Sequence, residues 1–164
     1  MCLYFKLCGT MQVHVIRHTP IHFDKNRIYG RLDVPLAESF SEDVKSIREQ
    51  IHGDYDQVFC SPKKRCLDLA NALEIDTWKT DPKLLEINFG DWEGRLWSEI
   101  HPPTLDTWMQ DFVNIAPPQG ETLQEMYNRV AEFIDTLRVS EYDKVLIVTH
   151  SGVIRCFWAY FLGV

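Results

Sequence analysis

Lys144–Thr149 (KVLIVT), followed directly by His150-Ser151-Gly152, is the stretch that decides the fold. A nearly continuous apolar run of strand length, rich in β-branched residues, belongs to a strand buried on both faces, the environment of a parallel sheet. Residues 12–17 (QVHVIR) have the same character and run into polar residues and Pro20, so they read as the first strand; residues 56–60 (DQVFC) read as another. Helical patterns lie between these strands. Val44, Ile47 and Ile51 keep helical spacing after Ser39 or Ser41 as a cap, and Leu67, Ala70 and Leu73 do so after Ser61-Pro62, with Ser61 at the N-cap and Pro62 in the first turn. Leu123, Met126, Val130, Phe133, Ile134 and Leu137 recur at steps of three and four and predict an amphipathic helix over 121–137. Residues 82–90 read as extended or loop, paired prolines bracket a short helix around 105–112, and a last helix is expected over 154–162. Strands alternating with helices give an α/β fold with a mostly parallel central sheet flanked by helices.

In such sheets ligands bind beyond the carboxyl ends of the strands. Two of the expected strands end in histidine, at His18 and His150. If both are central and parallel, the two imidazoles emerge on one edge and can meet.

Composition narrows the function. At 164 residues and 45% apolar, the chain is the size of one domain with a real core, and no low-complexity tract or internal period is visible. A formal charge of −7 argues against nucleic acid as a partner, and no run of about 18 apolar residues is present to span a membrane. The five cysteines (Cys2, Cys8, Cys60, Cys66 and Cys156) are odd in number and lack a C-x-x-C pair, which points away from a disulfide framework or zinc ribbon and toward a soluble, cytoplasmic protein. An anionic substrate would therefore need a local cationic pocket.

The residues around the two histidines suit phosphoryl transfer, which needs a nucleophile, positive donors around the phosphoryl oxygens and an acid for the leaving oxygen. A neutral imidazole at His18 can attack, Arg17 and Arg65 can present planar forks of N–H donors, and His150, kept protonated by the phosphate, can add a further cation.

The motifs then carry a resemblance. Arg17-His18-Thr19 stands where the histidine phosphatase superfamily places its Arg-His-Gly signature after the first strand. Gly30-Arg31-Leu32-Asp33-Val34-Pro35-Leu36 resembles the family's G-x-x-D-x-P-L stretch, and Ser61 through Arg65 its S-x-x-x-R segment. Leu85 through Gly94 resembles L-x-E-x-x-x-G-x-W-E-G, and Val148-Thr149-His150-Ser151-Gly152 resembles V-T-H-x-G. The motifs fall in order between about Val13 and Arg155. The resemblance implies a three-layer, phosphoglycerate mutase-like fold and a reaction needing no cofactor and no metal. It makes His18 the phosphorylated nucleophile, places Arg17, His18, Arg65 and His150 around the phosphate, and gives Glu86 the role of general acid and then base, with Glu93 as a rival. Arg27, Tyr29 and Gly30 fall on the substrate side, while Trp92 and Glu93 read as packing and loop-fixing residues.

Residues 11–164 are expected as a single domain that stops short of the strand with which family members usually end, and residues 1–10 as an N-terminal extension. Little room exists for the segments that close over a bisphosphate in the superfamily's mutases, so net hydrolysis is expected. Among short members the resemblance is closest to the α-ribazole phosphatases, which share the His-Thr form and act on a small phosphorylated metabolite of cobalamin nucleotide-loop assembly. Tyr29, Trp97 and Trp108 are rings that could stack on its flat base. A broad-specificity sugar or small-molecule phosphatase, and a non-catalytic phospho-ligand binder, stay open.

Two other chemistries fit less well. Cys60 and Arg65 are one residue too close for a cysteine-dependent phosphatase loop. His14, His18 and His22 recur every four residues, as metal ligands on a helix would, but Val13, Val15 and Ile16 favour a strand and Pro20 interrupts any helix, so the rings should diverge.

Overall fold

A computed structural model describes residues 2–7 and 11–164; Met1 and residues 8–10, Cys8 among them, lie outside the described residues. The strands are β1 (Cys2–Leu7), β2 (Met11–Arg17), β3 (Gln57–Cys60), β4 (Lys79–Thr80) and β5 (Lys144–Thr149). The helices are α1 (Phe40–Arg48), α2 (Lys64–Ala72), α3 (Pro102–Gln110), α4 (Leu123–Arg138) and α5 (Ser151–Leu162). The strands form one sheet in the order β1-β2-β5-β3-β4, in which only β1 runs antiparallel to its neighbour.

β5 is central, and its sequence shows why. Val145 and Ile147 pack with α4 and α5, through residues such as Val130, Phe133, Val153 and Phe157. Leu146 and Val148 face the opposite way and pack with α1 and α2, through Val44, Ile47, Leu69 and Ala70. All four strand side chains are fully buried, each contributing about 1.5–3 kcal/mol of apolar transfer, so a run without polar alternation is what this position requires. The result is the expected three-layer α/β arrangement.

Local signals set the helix starts unevenly. At α4, Thr122 accepts from the Glu125 amide at 3.0 Å and the Glu125 carboxylate accepts from the Thr122 amide at 2.7 Å, a reciprocal cap. Ser39 sits at the N-cap of α1, but its hydroxyl donates to the Asp43 carboxylate at 2.7 Å. Ser61, expected to cap α2, does not: Lys63 holds that position, and the Ser61 hydroxyl is used elsewhere.

Three features differ from the sequence reading. Cys2–Leu7, read as part of an extension, forms the sheet-edge strand β1, with Phe5 and Leu7 buried in the core beside α5. The two-residue β4 has too few side chains to show a pattern. The stretch read as extended or loop over 82–90 is loop from Leu85 to Phe89, but single 3₁₀ turns flank it at Pro82–Leu84 and Gly90–Trp92. A satellite cluster of Ile28, Trp92 and Ile100 packs with Phe89, Trp97 and Trp108 and supports the loops around these turns.

Candidate active site

The parallel pairing of β2 with β5 puts Arg17 opposite Thr149, so each strand delivers a histidine at the next residue. The His18 amide donates to the Thr149 carbonyl at 2.9 Å, and the His18 and His150 rings lie 5.2 Å apart at 64°. Both histidines are buried at the sheet edge.

Their partners define their tautomers. His18 Nδ1 lies 2.7 Å from the Thr19 carbonyl oxygen, which can only accept, so Nδ1 carries the proton and Nε2 keeps its lone pair. Burial, and after it the charges of Arg65 and Arg17, lowers the His18 pKa to about 3 against an opposing push from the Thr19 hydrogen bond. At His150, Arg65 Nη2 is 3.1 Å from Nδ1, and a guanidinium can only donate. His150 therefore carries its proton on Nε2, which donates to Ser61 Oγ at 2.7 Å. Burial and then Arg65 hold the His150 pKa well below the ordinary imidazole range, so the ring is neutral in this arrangement. Charge there has to come with a bound dianion.

Arg65 is almost completely buried and donates to the carbonyls of Gly30 at 2.6 Å and Leu32 at 2.9 Å. Its Nε, the Arg17 Nε and the Thr19 hydroxyl are buried without a hydrogen-bond partner among the described residues. Orphaned buried donors are costly, and two guanidinium N–H groups whose charges act on the His18 ring suit an anion at this place. Thr19 is not among the positive-φ residues, so a β-branched side chain fits where the motif has glycine.

The two candidate carboxylates separate clearly. Among the described residues Glu86 accepts only from the amides of Ile87 at 3.0 Å and Gly152 at 3.1 Å, the latter in the first turn of α5 beside His150. Glu93 accepts from four amides, those of Gly30, Arg31, Leu32 and Phe89, at 2.8–3.2 Å. Its oxygens are taken up in fixing the 30–32 loop, so Glu93 is a loop anchor, while Glu86 lines the cavity with fewer contacts.

The substrate-side residues divide as well. Tyr29 lines a cavity of about 810 Å³ that also borders Arg17 and Glu86, and its ring lies 5.8 Å from the Arg65 guanidinium carbon. Gly30 is a backbone crossing: a Cβ there would stand 1.9 Å from the Ile87 carbonyl oxygen. Arg27 points away, donating to the Gly94 carbonyl at 2.9 Å, and is not part of the cavity lining.

The other chemistries find little footing. His14 turns from the site to Tyr55, 2.8 Å from its hydroxyl, and among the described residues no cluster of three His, Cys, Asp or Glu side chains could hold a metal ion. Burial pushes the Cys60 thiol up to about 12, which keeps it protonated and poorly nucleophilic. Sequence reasoning missed Ser61 as a partner of His150, and it missed Phe89, Phe112 and Tyr127 as cavity walls. The first was masked by its plausibility as a helix cap; the others come from three separate segments with no shared period.

The chain matches the histidine phosphatase superfamily (branch 1) over residues 13–164, and it belongs to that family. It is 28% identical to phosphoserine phosphatase 1 of Hydrogenobacter thermophilus, over 92% of this chain and 75% of that protein. It is 30% identical to the adenosylcobalamin/alpha-ribazole phosphatase of Salmonella typhimurium, over 88% of this chain and 76% of that one. The crystal structure of the alpha-ribazole phosphatase from Shigella flexneri superposes with a TM-score of 0.86 at 27% identity, covering 93% of this chain and 80% of that chain. The class is therefore a phosphoric monoester hydrolase. Among the described residues no helix is long and apolar enough to cross a membrane.

Proposed function

We propose that the chain is a metal-independent phosphomonoesterase that acts through a phosphohistidine at His18 on α-ribazole 5′-phosphate, in the cytoplasmic assembly of the cobalamin nucleotide loop. The observation that carries the substrate reading is the cavity itself. About 810 Å³ opens beside Arg17 and Glu86, and its walls include Tyr29, Phe89, Trp108, Phe112 and Tyr127. A chamber of this size and aromatic character matches a phosphate ester whose far end is a flat, apolar ring system. Trp97 supports it from behind, its ring 5.9 Å from that of Trp108.

The site geometry supports a two-step chemistry. The phosphoryl group sits against Arg17 Nε and Arg65 Nε, whose buried donors it satisfies. His18 Nε2 attacks phosphorus, the P–O bond to the leaving group breaks, and Glu86 supplies the proton to the departing oxygen. Water then attacks the phosphohistidine, Glu86 takes a proton from it, and the P–N bond breaks to return neutral His18 and inorganic phosphate. The Thr19 carbonyl holds the Nδ1 proton throughout, and a dianion beside His150 draws that ring toward its protonated form.

The test compares kcat/KM for α-ribazole 5′-phosphate with that for phosphoserine, in the presence of a strong chelator. Preference for the ribazole ester by more than about tenfold supports the reading, because a small zwitterion leaves the aromatic walls unused. Equal rates, or preference for phosphoserine, overturn the substrate assignment while leaving the phosphatase class intact.

A further inference from the structure

We infer that Glu121, with Arg31 and Arg129, is a positioning device for Glu86 that sets the efficiency of proton delivery to the leaving group; the inference rests on the role proposed for Glu86. None of these three residues belongs to the phosphate pocket, and the hydrogen-bond pattern around them converges on one short segment.

Glu121 Oε1 accepts from Arg129 Nη2 at 2.7 Å, from the Asn88 amide at 2.8 Å and from Arg31 Nη2 at 3.0 Å, while Oε2 accepts from Arg129 Nε at 3.1 Å. The two arginines then reach past the carboxylate to the same acceptor. Arg31 Nε is 3.2 Å and Arg129 Nη2 3.3 Å from the Glu86 carbonyl oxygen. Arg129 Nη1 also holds the Lys83 carbonyl at 2.7 Å, and the Glu121 amide donates to the Asn88 carbonyl at 2.9 Å. The main chain is thus gripped at residues 83, 86 and 88.

The brace is built to be stiff. Glu121 and Arg129 side chains are only 13% and 17% exposed, where a paired guanidinium and carboxylate are weakly screened. Burial alone would raise the Glu121 pKa, but Arg129 and Arg31 outweigh it and lower the value, so the carboxylate stays charged. Three elements meet here: the 30–32 loop through Arg31, the approach to α4 through Glu121, and α4 itself through Arg129. Each is anchored elsewhere, the loop by Glu93 and α4 by its capping box. Among the described residues Glu86 has two amide contacts to orient its carboxylate, so its placement depends on how firmly its own backbone is held. A displacement of a fraction of an ångström at a proton donor lowers its contribution steeply.

The test is Glu121→Gln, assayed on two substrates that differ in their need for an acid. An alkyl phosphate leaves as a basic alkoxide and requires protonation; p-nitrophenyl phosphate leaves as a stable phenolate and does not. In both cases kcat/KM reports the steps up to loss of the leaving group. The expected result is a fall of about tenfold or more for the alkyl ester and a change within about twofold for the nitrophenyl ester. Equal losses on both substrates would mean general loosening and would overturn the inference, as would no loss on either. Arg31→Lys, at a more exposed site, provides the second variant should Glu121→Gln fold poorly; it keeps the charge, loses the fork and is expected to show the same selectivity to a smaller degree. Failure of the parent protein to turn over either ester would instead sink the phosphatase reading itself.

Discussion

Ser61 and His150 are joined by a 2.7 Å hydrogen bond in which the imidazole Nε2–H donates to the hydroxyl, because Arg65 already occupies the other ring nitrogen. The ring is held from one side by Ser61, ahead of α2, and from the other by Arg65, in its first turn. Ser61→Ala removes one support and leaves the buried Nε2–H facing the poorer acceptor Cys66 Sγ at 3.6 Å, a cost of about 1–1.5 kcal/mol. The expected outcome is a roughly tenfold loss in kcat/KM. It is checked by steady-state kinetics together with imidazole nitrogen NMR, which should show the His150 tautomer becoming mixed; an unchanged tautomer and rate would remove Ser61 from the site.

The depressed pKa of His18 makes a prediction about acid pH. A histidine of ordinary pKa, near 6.5, loses its lone pair as pH falls below that value; His18, at about 3, keeps Nε2 free well below it. For p-nitrophenyl phosphate, kcat/KM corrected for the fraction of substrate dianion should therefore stay flat from pH 7 to about pH 5. An acid limb centred near 6.5 would show that His18 titrates as an exposed histidine does.

Gly152 has no Cβ where Glu86 needs space: one built there would lie 2.1 Å from Glu86 Oε1 and 2.9 Å from the Met126 methyl carbon. Both are ends of flexible side chains, so Gly152→Ala should fold but push the carboxylate aside. Turnover of an alkyl monoester should fall by about a hundredfold, with a thermal midpoint close to the parent's. A variant as active as the parent would show that Glu86 is not the proton donor.

Much of this site could be read from the sequence because it is local. The arginine and histidine at residues 17 and 18, and the histidine at 150, each follow a strand whose composition announces it, and the parallel register brings them together without further information. The same holds for the choice of α/β class, since a fully buried β5 must be apolar on both faces. What could not be read was cooperation between distant segments. Ser61 looked like a cap because a serine before proline usually is one, and only the packed structure shows its hydroxyl spent on a residue 89 positions away. The division of labour between Glu86 and Glu93 was legible only through the family resemblance, because it depends on which carboxylate meets the amides of the 30–32 loop, a tertiary fact. Cys2–Leu7 does alternate, with Phe5 and Leu7 inward and Tyr4 and Lys6 outward, but Tyr4 between Leu3 and Phe5 makes the stretch look like a short continuous apolar run.

Glu93 predicts a stability effect distinct from the catalytic ones. Its two oxygens serve four amides, and Glu93→Gln leaves one oxygen to accept while turning the other position into a donor. The loss should be about 2 kcal/mol, or roughly 4–8 °C in thermal midpoint, with a higher KM because the Gly30 and Leu32 carbonyls that hold Arg65 become less fixed. Calorimetry and KM measurement check it; an unaltered midpoint would mean the loop is held by other contacts.

The most direct test of the account is to trap the intermediate. The protein is mixed with p-nitrophenyl phosphate, quenched in alkali within the turnover time, digested and sequenced by mass spectrometry, alongside Glu86→Gln, which should slow hydrolysis of the phosphoenzyme and let it accumulate. The account predicts an acid-labile, alkali-stable phosphoryl group on His18 in both, more abundant in the variant, and none in His18→Ala. Phosphate release at the parent rate by His18→Ala, or a phosphoryl group on any other residue, would contradict it.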